Sequence, residues 1–171
     1  LEPSPGIAFG TLLGLGAFTT YSWVTQFDDA EEYLRYPVSI RAVFAGKRRA
    51  YLLLSLPAGL AYLAVATLWY QPAALAIGVV VLPLIAVYVY GVTAFVAGLS
   101  PTELLFDTVL FLGFGAALAA VAVPLLVAAL VYPTAQLAST VTALCLSLGA
   151  AALGWWLAAR AGPRWERRLR I

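Results

Sequence analysis

The sequence predicts an all-α fold, a polytopic bundle of transmembrane helices, and three observations lead to it. Of the 171 residues, 63% are hydrophobic and 11% are charged, whereas roughly a quarter of the residues in a soluble domain are charged. Mean hydropathy is +0.94, which is more apolar surface than a soluble domain of this size can bury. Five apolar stretches approach the ~20 residues that cross ~30 Å of hydrocarbon. Water-soluble enzyme folds are therefore excluded, and we expect a single transmembrane domain over residues 1–171.

The five predicted spans follow one another with short joints. Their approximate bounds are 6–26, 51–70, 73–98, 105–131 and 136–159. None of these stretches alternates polar and apolar residues as the strands of a barrel do. Each is therefore predicted to be a helix, which satisfies its own backbone hydrogen bonds in lipid.

The joints contain residues that end or begin helices. Gln71–Pro72 predicts a two-residue turn, so that the second and third spans form a tight antiparallel hairpin. Gly98 predicts a left-handed cap at the end of the third span. Ser100 to Glu103 has the spacing of a capping box at the start of the fourth. Tyr132–Pro133 and Gly162–Pro163 predict the ends of the fourth and fifth helices.

The basic residues predict the orientation of the spans. All ten fall in two places: Arg35, Arg41, Lys47, Arg48 and Arg49 between the first two spans, and Arg160, Arg164, Arg167, Arg168 and Arg170 after the last. Because cytoplasmic loops carry the excess of Lys and Arg, we expect segment 27–50 and a basic tail at 161–171 to be cytoplasmic. The N-terminus is then expected outside and the protein in the cell membrane. The absence of Met leads us to expect a segment of a longer protein.

Several kinds of chemistry are excluded by composition. The chain has no His and one Cys, Cys145, so histidine-based catalysis, an internal disulfide and a Cys-cluster zinc site cannot be built. Gly46–Lys47 lacks the upstream glycine and the following Ser or Thr of a phosphate-binding loop. No Gly-x-Ser-x-Gly elbow is present. We expect no enzymatic activity in this chain, no metal, no cofactor and no nucleic-acid partner.

The first span carries glycines at four-residue spacing, Gly6, Gly10 and Gly14. Small residues at this period let a second helix approach closely. That helix can belong to the same bundle or to another subunit, and the sequence favours the first alternative without excluding the second. Ala143, Ser147 and Ala151 form a weaker version of the pattern in the fifth span.

Segment 27–50 combines an acidic and a basic helix. Phe27, Ala30 and Leu34 share one helical face, and the remaining positions carry Asp28, Asp29, Glu31, Glu32 and Arg35. Pro37 breaks this helix, and Ser39 can cap a basic helix that runs into the second span. Anionic lipid headgroups explain the basic part. They do not explain an acidic, partly apolar helix beside a negatively charged membrane, which is better explained by docking on a protein.

The run from Asp28 to Ser39, Asp-Asp-Ala-Glu-Glu-Tyr-Leu-Arg-Tyr-Pro-Val-Ser, with Gly46–Lys47 before the next span, resembles the cytoplasmic loop of type-2 ABC transporter permeases. In that family an amphipathic coupling helix containing Glu precedes a Leu-x-x-Pro-Val-Ser-like turn and a Gly-Lys pair. Gly98 to Asp107 is similar to a later cytoplasmic turn of some members. The specific motifs cover about 28–47 and 98–107, and the layout of spans covers most of the chain.

The resemblance implies the membrane subunit of an ATP-driven exporter. Family units have six spans with the coupling helix between the second and third, so this chain would hold spans two to six. The resemblance also implies cytoplasmic ATPase subunits, and pairing as a homodimer or with a similar permease half. The residues expected to dock on the ATPase are Phe27, Asp28, Asp29, Ala30, Glu31, Glu32, Leu34 and Arg35.

Two other functions stay open from the sequence. One is a non-transporting membrane scaffold or assembly protein that recruits a cytoplasmic partner, and the other is an ion-independent facilitator. For a transporter, Tyr62, Tyr88, Tyr90 and Thr93 are candidates to line a substrate cavity. The alternative for these side chains is that they are buried and bonded to neighbouring helices.

Overall fold

The computed structural model describes residues 3–26, 39–98 and 107–169. These residues form five helices: α1 (Pro5–Thr25), α2 (Ile40–Ala66), α3 (Pro72–Val96), α4 (Thr108–Val131) and α5 (Gln136–Leu169). All five are long and apolar enough to cross a membrane. The predicted all-α bundle with five spans is confirmed, and the chain is a multi-pass α-helical membrane protein.

Side-chain caps fix the starts of three helices. Ser4 Oγ accepts a hydrogen bond from the N–H of Ile7 at 3.4 Å, with Pro5 in the first helical position. Ser39 Oγ accepts from the N–H of Ala42 at 3.3 Å, as the sequence predicts. Such caps satisfy N–H groups that have no partner inside the helix. Because α2 then runs unbroken to Ala66, the basic helix and the second span are one element, as expected.

The start of α4 differs from the expectation. Asp107 is the N-cap, and one of its carboxylate oxygens accepts from the N–H groups of Val109 at 2.9 Å and Leu110 at 3.0 Å. The capping box expected at 100–103 lies outside the described residues. An N-cap carboxylate accepts hydrogen bonds from two helical N–H groups at once, and its negative charge interacts favourably with the positive end of the helix dipole.

Two predicted joints are wrong. The connection between α2 and α3 covers residues 67–71 and is not the two-residue turn predicted at Gln71–Pro72. The fifth helix does not end at Gly162–Pro163 but continues to Leu169. Proline removes one helical hydrogen bond, but the helix beyond it buries Trp165 in an apolar cluster. Burial of an aromatic side chain offsets the loss of a single bond.

Helix α3 occupies the centre of the bundle. It contacts the four other helices, and 61% of its most apolar stretch is buried, against 28–33% in the others. Helices α1, α3 and α5 run in one direction, while α2 and α4 run in the other, as expected for successive membrane crossings. We call the end of the bundle where α2 and α4 begin the basic end, because the described Lys and Arg side chains lie there, and the other end the far end.

Glycines set the closest helix contacts. Gly6, Gly10 and Gly14 all face α3: a Cβ at Gly6 would lie 2.5 Å from the carbonyl oxygen of Ala74, and one at Gly10 would lie 3.0 Å from Gly78 Cα. The glycine stripe predicted on the first span therefore packs inside this bundle. A second close approach joins Gly91 of α3 and Gly154 of α5, where a Cβ on either would overlap the other helix's backbone.

Candidate functional site

The segment expected to dock on an ATPase leaves α1 after Gln26 and returns at Ser39. All eight of its expected docking residues, Phe27, Asp28, Asp29, Ala30, Glu31, Glu32, Leu34 and Arg35, lie outside the described residues. The structure does describe the two ends to which the segment is attached. Both ends lie at the basic end of the bundle. The contacts of the neighbouring residues therefore show which helices this segment is connected to.

The first attachment joins the end of α1 to α2. Lys47 Nζ donates a hydrogen bond to the carbonyl oxygen of Val24 at 2.7 Å. The last carbonyls of a helix have no partner within it, and a cation there also favours the negative end of the helix dipole. The chain before the segment and the helix after it are thus bonded directly to each other.

The second attachment is a cluster of three tyrosines, which we call the tyrosine cluster: Tyr21 of α1, Tyr51 of α2 and Tyr90 of α3. The ring centroids lie 5.3–6.3 Å apart. Each hydroxyl donates to a backbone carbonyl on another element. Tyr21 bonds Gly98, Tyr51 bonds Ala86 at 2.9 Å, and Tyr90 bonds Phe44 at 2.7 Å. The cluster therefore connects α1, α2 and α3 at the level of the basic end.

The end of α3 is joined to α5 through Gly98. This residue has φ +61°, so the left-handed cap predicted from the sequence is confirmed. A Cβ at Gly98 would overlap the ring of Trp165 on α5. Glycine is required at this position for two reasons. Other L-residues disfavour this backbone conformation, and the ring of Trp165 leaves no space for a side chain.

Arginines on α2 and α5 stack on aromatic rings at the basic end. The guanidinium of Arg48 lies 4.3 Å from the ring centroid of Trp155. Arg160 lies 3.8 Å from that of Trp156, and Arg164 lies 4.2 Å from that of Phe95. A cation–π contact of this kind holds a guanidinium beside the ring, while its N–H groups can still donate hydrogen bonds.

A cleft opens between α2 and α5 among these arginines. Its volume is about 160 Å³, and its lining includes Arg41, Phe44, Arg48, Tyr90, Ala158 and Gly162. At its rim Arg41 Nε lies 3.7 Å from Glu166 Oε2. The cleft therefore presents two guanidinium groups, with one carboxylate close to one of them.

The four residues expected to line a substrate cavity do not meet around one cavity. Tyr88 is buried and donates to the carbonyl of Ala117 in α4 at 2.6 Å, and Thr93 is buried and donates to Val89 at 2.7 Å. Tyr90 belongs to the tyrosine cluster and lines the cleft between α2 and α5. Tyr62 is 68% exposed on the outer face of α2. For Tyr88 and Tyr90, the structure contains the bonds to neighbouring helices that were the alternative.

Tyr62 instead borders an apolar groove between α1 and α2 toward the far end. The groove has a volume of about 470 Å³, and its lining includes Phe9, Tyr62, Val65, Trp69 and Tyr70. A smaller crevice of about 220 Å³, which also includes Tyr62, continues between the same helices and carries the hydroxyls of Thr19, Thr20 and Ser55. The sequence did not indicate this groove, because its residues come from two separate spans.

In the part of the chain that the structure describes, no three His, Cys, Asp or Glu side chains come together as they would to hold a metal ion. Comparison of the chain with family models, with curated proteins and with solved structures finds no match. The class that the fold defines is that of multi-pass helical membrane proteins.

Proposed function

We propose that this chain is the membrane-spanning permease subunit of an ATP-driven exporter of the ABC type. In this proposal residues 27–50 form a cytoplasmic loop, and its acidic helix docks on a separate ATPase subunit. The observation that carries the proposal is the double attachment of this segment to the bundle: Lys47 donates to the carbonyl of Val24 in α1, and the carbonyl of Phe44 accepts from Tyr90 in α3. The sequence resemblance at 28–47 and 98–107 is the reason for proposing the ABC type of exporter.

The charge distribution supports the orientation that this function needs. The described Lys and Arg side chains are Arg41, Lys47, Arg48 and Arg49 on α2, and Arg160, Arg164 and Arg167 on α5, all at the basic end. An excess of Lys and Arg is typical of the cytoplasmic side. We therefore place the basic end in the cytoplasm and the N-terminus outside, in the cell membrane.

The contacts at the basic end also offer a route from the loop to the rest of the bundle. A force applied to the acidic helix acts on the last turn of α1 and the first turns of α2. Tyr21 and Tyr90 pass it to α3, and the packing of Trp165 on Gly98 passes it to α5. A continuous chain of contacts of this kind is what a coupling element requires if ATP-driven movement is to tilt several helices together.

The transport route is proposed to lie between this chain and a second copy or a similar permease half. Within one copy, α3 is closely packed by α1 and α5 through glycines, and two openings lie on the outer surface between α1 and α2. A groove on that surface can become an enclosed path when a second subunit covers it. This arrangement accounts for the homodimer or paired half that the resemblance implies.

The proposal is tested by disrupting the docking face of the acidic helix. Leu34→Asp places a charge where an apolar contact with the ATPase is expected, and an unpaired buried charge is costly. Glu31→Gln with Glu32→Gln removes charges whose pairs at an interface rim are individually weak. We expect Leu34→Asp to abolish co-purification of a protein with a Gly-x-x-x-x-Gly-Lys-Ser/Thr motif, together with the ATPase activity of the complex. The double Gln variant should reduce both only partly.

The control is the thermal stability of each purified variant, which should match the parent because the spans are untouched. If Leu34→Asp retains full binding of the ATPase and full activity, residues 27–36 are not the coupling element. If an ATPase binds but the reconstituted complex moves no substrate, the scaffold alternative replaces the exporter.

A further inference from the structure

The cleft between α2 and α5 has the composition of an anion site. Two of its lining side chains are Arg41 and Arg48. The guanidinium of Arg48 also lies over the ring of Trp155, 4.3 Å from its centroid, so this charge is held beside the cleft by a cation–π contact. A planar guanidinium with several N–H donors matches the oxygens of a phosphate group, which it binds through two parallel hydrogen bonds.

We infer that this cleft binds the phosphate headgroup of an anionic membrane lipid. Basic pockets between transmembrane helices on the cytoplasmic side bind such headgroups. The inference does not depend on an ATPase partner; it depends on the basic end lying at a membrane surface.

The surroundings of the cleft favour a lipid over a soluble anion. Trp155 is 54% exposed and lies beside Arg48, in the position of an aromatic residue at the headgroup level. One helical turn deeper than Arg48, α2 presents the half-buried Leu52. A headgroup in the cleft would thus continue into acyl chains on an apolar outer surface, whereas a soluble phosphate would gain nothing from that surface.

The carboxylate of Glu166 would compete with a bound phosphate for Arg41. This carboxylate lies 3.7 Å from Arg41 Nε and neutralises part of the charge that a phosphate would meet. A bound lipid must therefore share or displace this partner of Arg41. It would also join α2 to α5 where Gly162 packs on Arg41, and so stabilise the basic end by binding the folded state.

The experiment measures lipid bound to the purified protein in detergent by native mass spectrometry, with phosphatidylglycerol and phosphatidylcholine as probes. The parent protein should prefer phosphatidylglycerol. Arg41→Gln with Arg48→Gln should lower its binding about tenfold. The matched control, Arg49→Gln with Arg167→Gln, removes the same charge from exposed positions outside the cleft lining and should stay near the parent. Glu166→Gln should raise binding about twofold to fivefold.

A second variant, Arg41→Lys with Arg48→Lys, controls for a folding defect. It keeps both positive charges and loses only the paired hydrogen bonds that a guanidinium makes to a phosphate. Its binding should fall between the parent and the Gln pair. Equal losses in the cleft pair and the control pair would show a diffuse charge effect and overturn the site. So would a parent protein with no preference for phosphatidylglycerol. Displacement of the lipid by excess inorganic phosphate would assign the cleft to a soluble anion and overturn the lipid.

Discussion

The contacts between α1 and α3 differ in kind at the two ends of the bundle. At the far end, α1 meets α3 through Gly6, Gly10 and Gly14, with backbone against backbone or against aliphatic side chains. At the basic end, Tyr21 of α1 donates a hydrogen bond to the carbonyl of Gly98, just after α3, and Tyr90 of α3 donates one to the carbonyl of Phe44 in α2. Close backbone packing tolerates little change in helix separation. Side-chain bonds can be remade after a small movement, so in the proposed exporter the basic end is where the force from the ATPase would act.

The largest effect is expected from added bulk where α1 and α3 pack through glycines. Gly10→Leu places a side chain where even a Cβ would lie 3.0 Å from Gly78 Cα and 3.0 Å from Val81 Cβ. Two helices must then separate, and we expect the free energy of unfolding to fall by about 3 kcal/mol or more. Gly16→Leu is the matched control on the same helix, because nothing lies within 4 Å of a Cβ there. Equal stability of the two variants in detergent unfolding would show that the side of α1 carrying Gly10 is in contact with lipid and not with α3.

A smaller effect is expected where glycine serves the basic end. Gly98→Ala combines a positive φ with overlap on the Trp165 ring, and we expect a loss of about 2 kcal/mol. Gly113→Ala is the control: no atom lies within 4 Å of its Cβ, and alanine favours the helix. Thermal unfolding of both variants measures the difference. A Gly98→Ala protein as stable as the parent would mean that α3 and α5 are not joined through this residue.

The smallest effect should come from a single hydroxyl of the tyrosine cluster. Tyr90→Phe removes the bond to the Phe44 carbonyl and keeps the ring contacts, so the expected loss is about 1 kcal/mol. Tyr62→Phe, on an exposed side chain, should change nothing measurable. A Tyr90→Phe loss as large as that of Gly10→Leu would contradict the view that the basic end is held by separable, individually weak bonds.

The spans were predictable because length and hydropathy decide them with little help from tertiary structure. The Ser39 and Gly98 caps were predictable for a similar reason, since a cap depends on the local chain. The continuation of α5 past Pro163 was not, because the proline rule is local and the burial of Trp165 that overcomes it depends on α2 and α3.

The contacts that shape the candidate site were harder to predict. Gly91 and Gly154 are single glycines in separate spans, and no spacing in the sequence pairs them. The same holds for Tyr21 and Tyr51, which the sequence did not single out and which meet only when α1 and α2 lie side by side. Arg41 and Arg48 were recognised as basic residues of a cytoplasmic loop, but a cleft between α2 and α5 requires both helices to be in place.

The central claim is that the basic end faces the cytoplasm, and single-cysteine labelling tests it most directly. In a Cys145→Ala background, cysteines replacing Asp29 and Arg167 should react with a membrane-impermeant thiol reagent only after the cytoplasmic side is opened. Cysteines replacing Gln71 and Thr134, at the far end, should react in intact cells. Labelling of the Asp29 position from outside would contradict the orientation, and with it the ATPase-docking loop and the cytoplasmic lipid site.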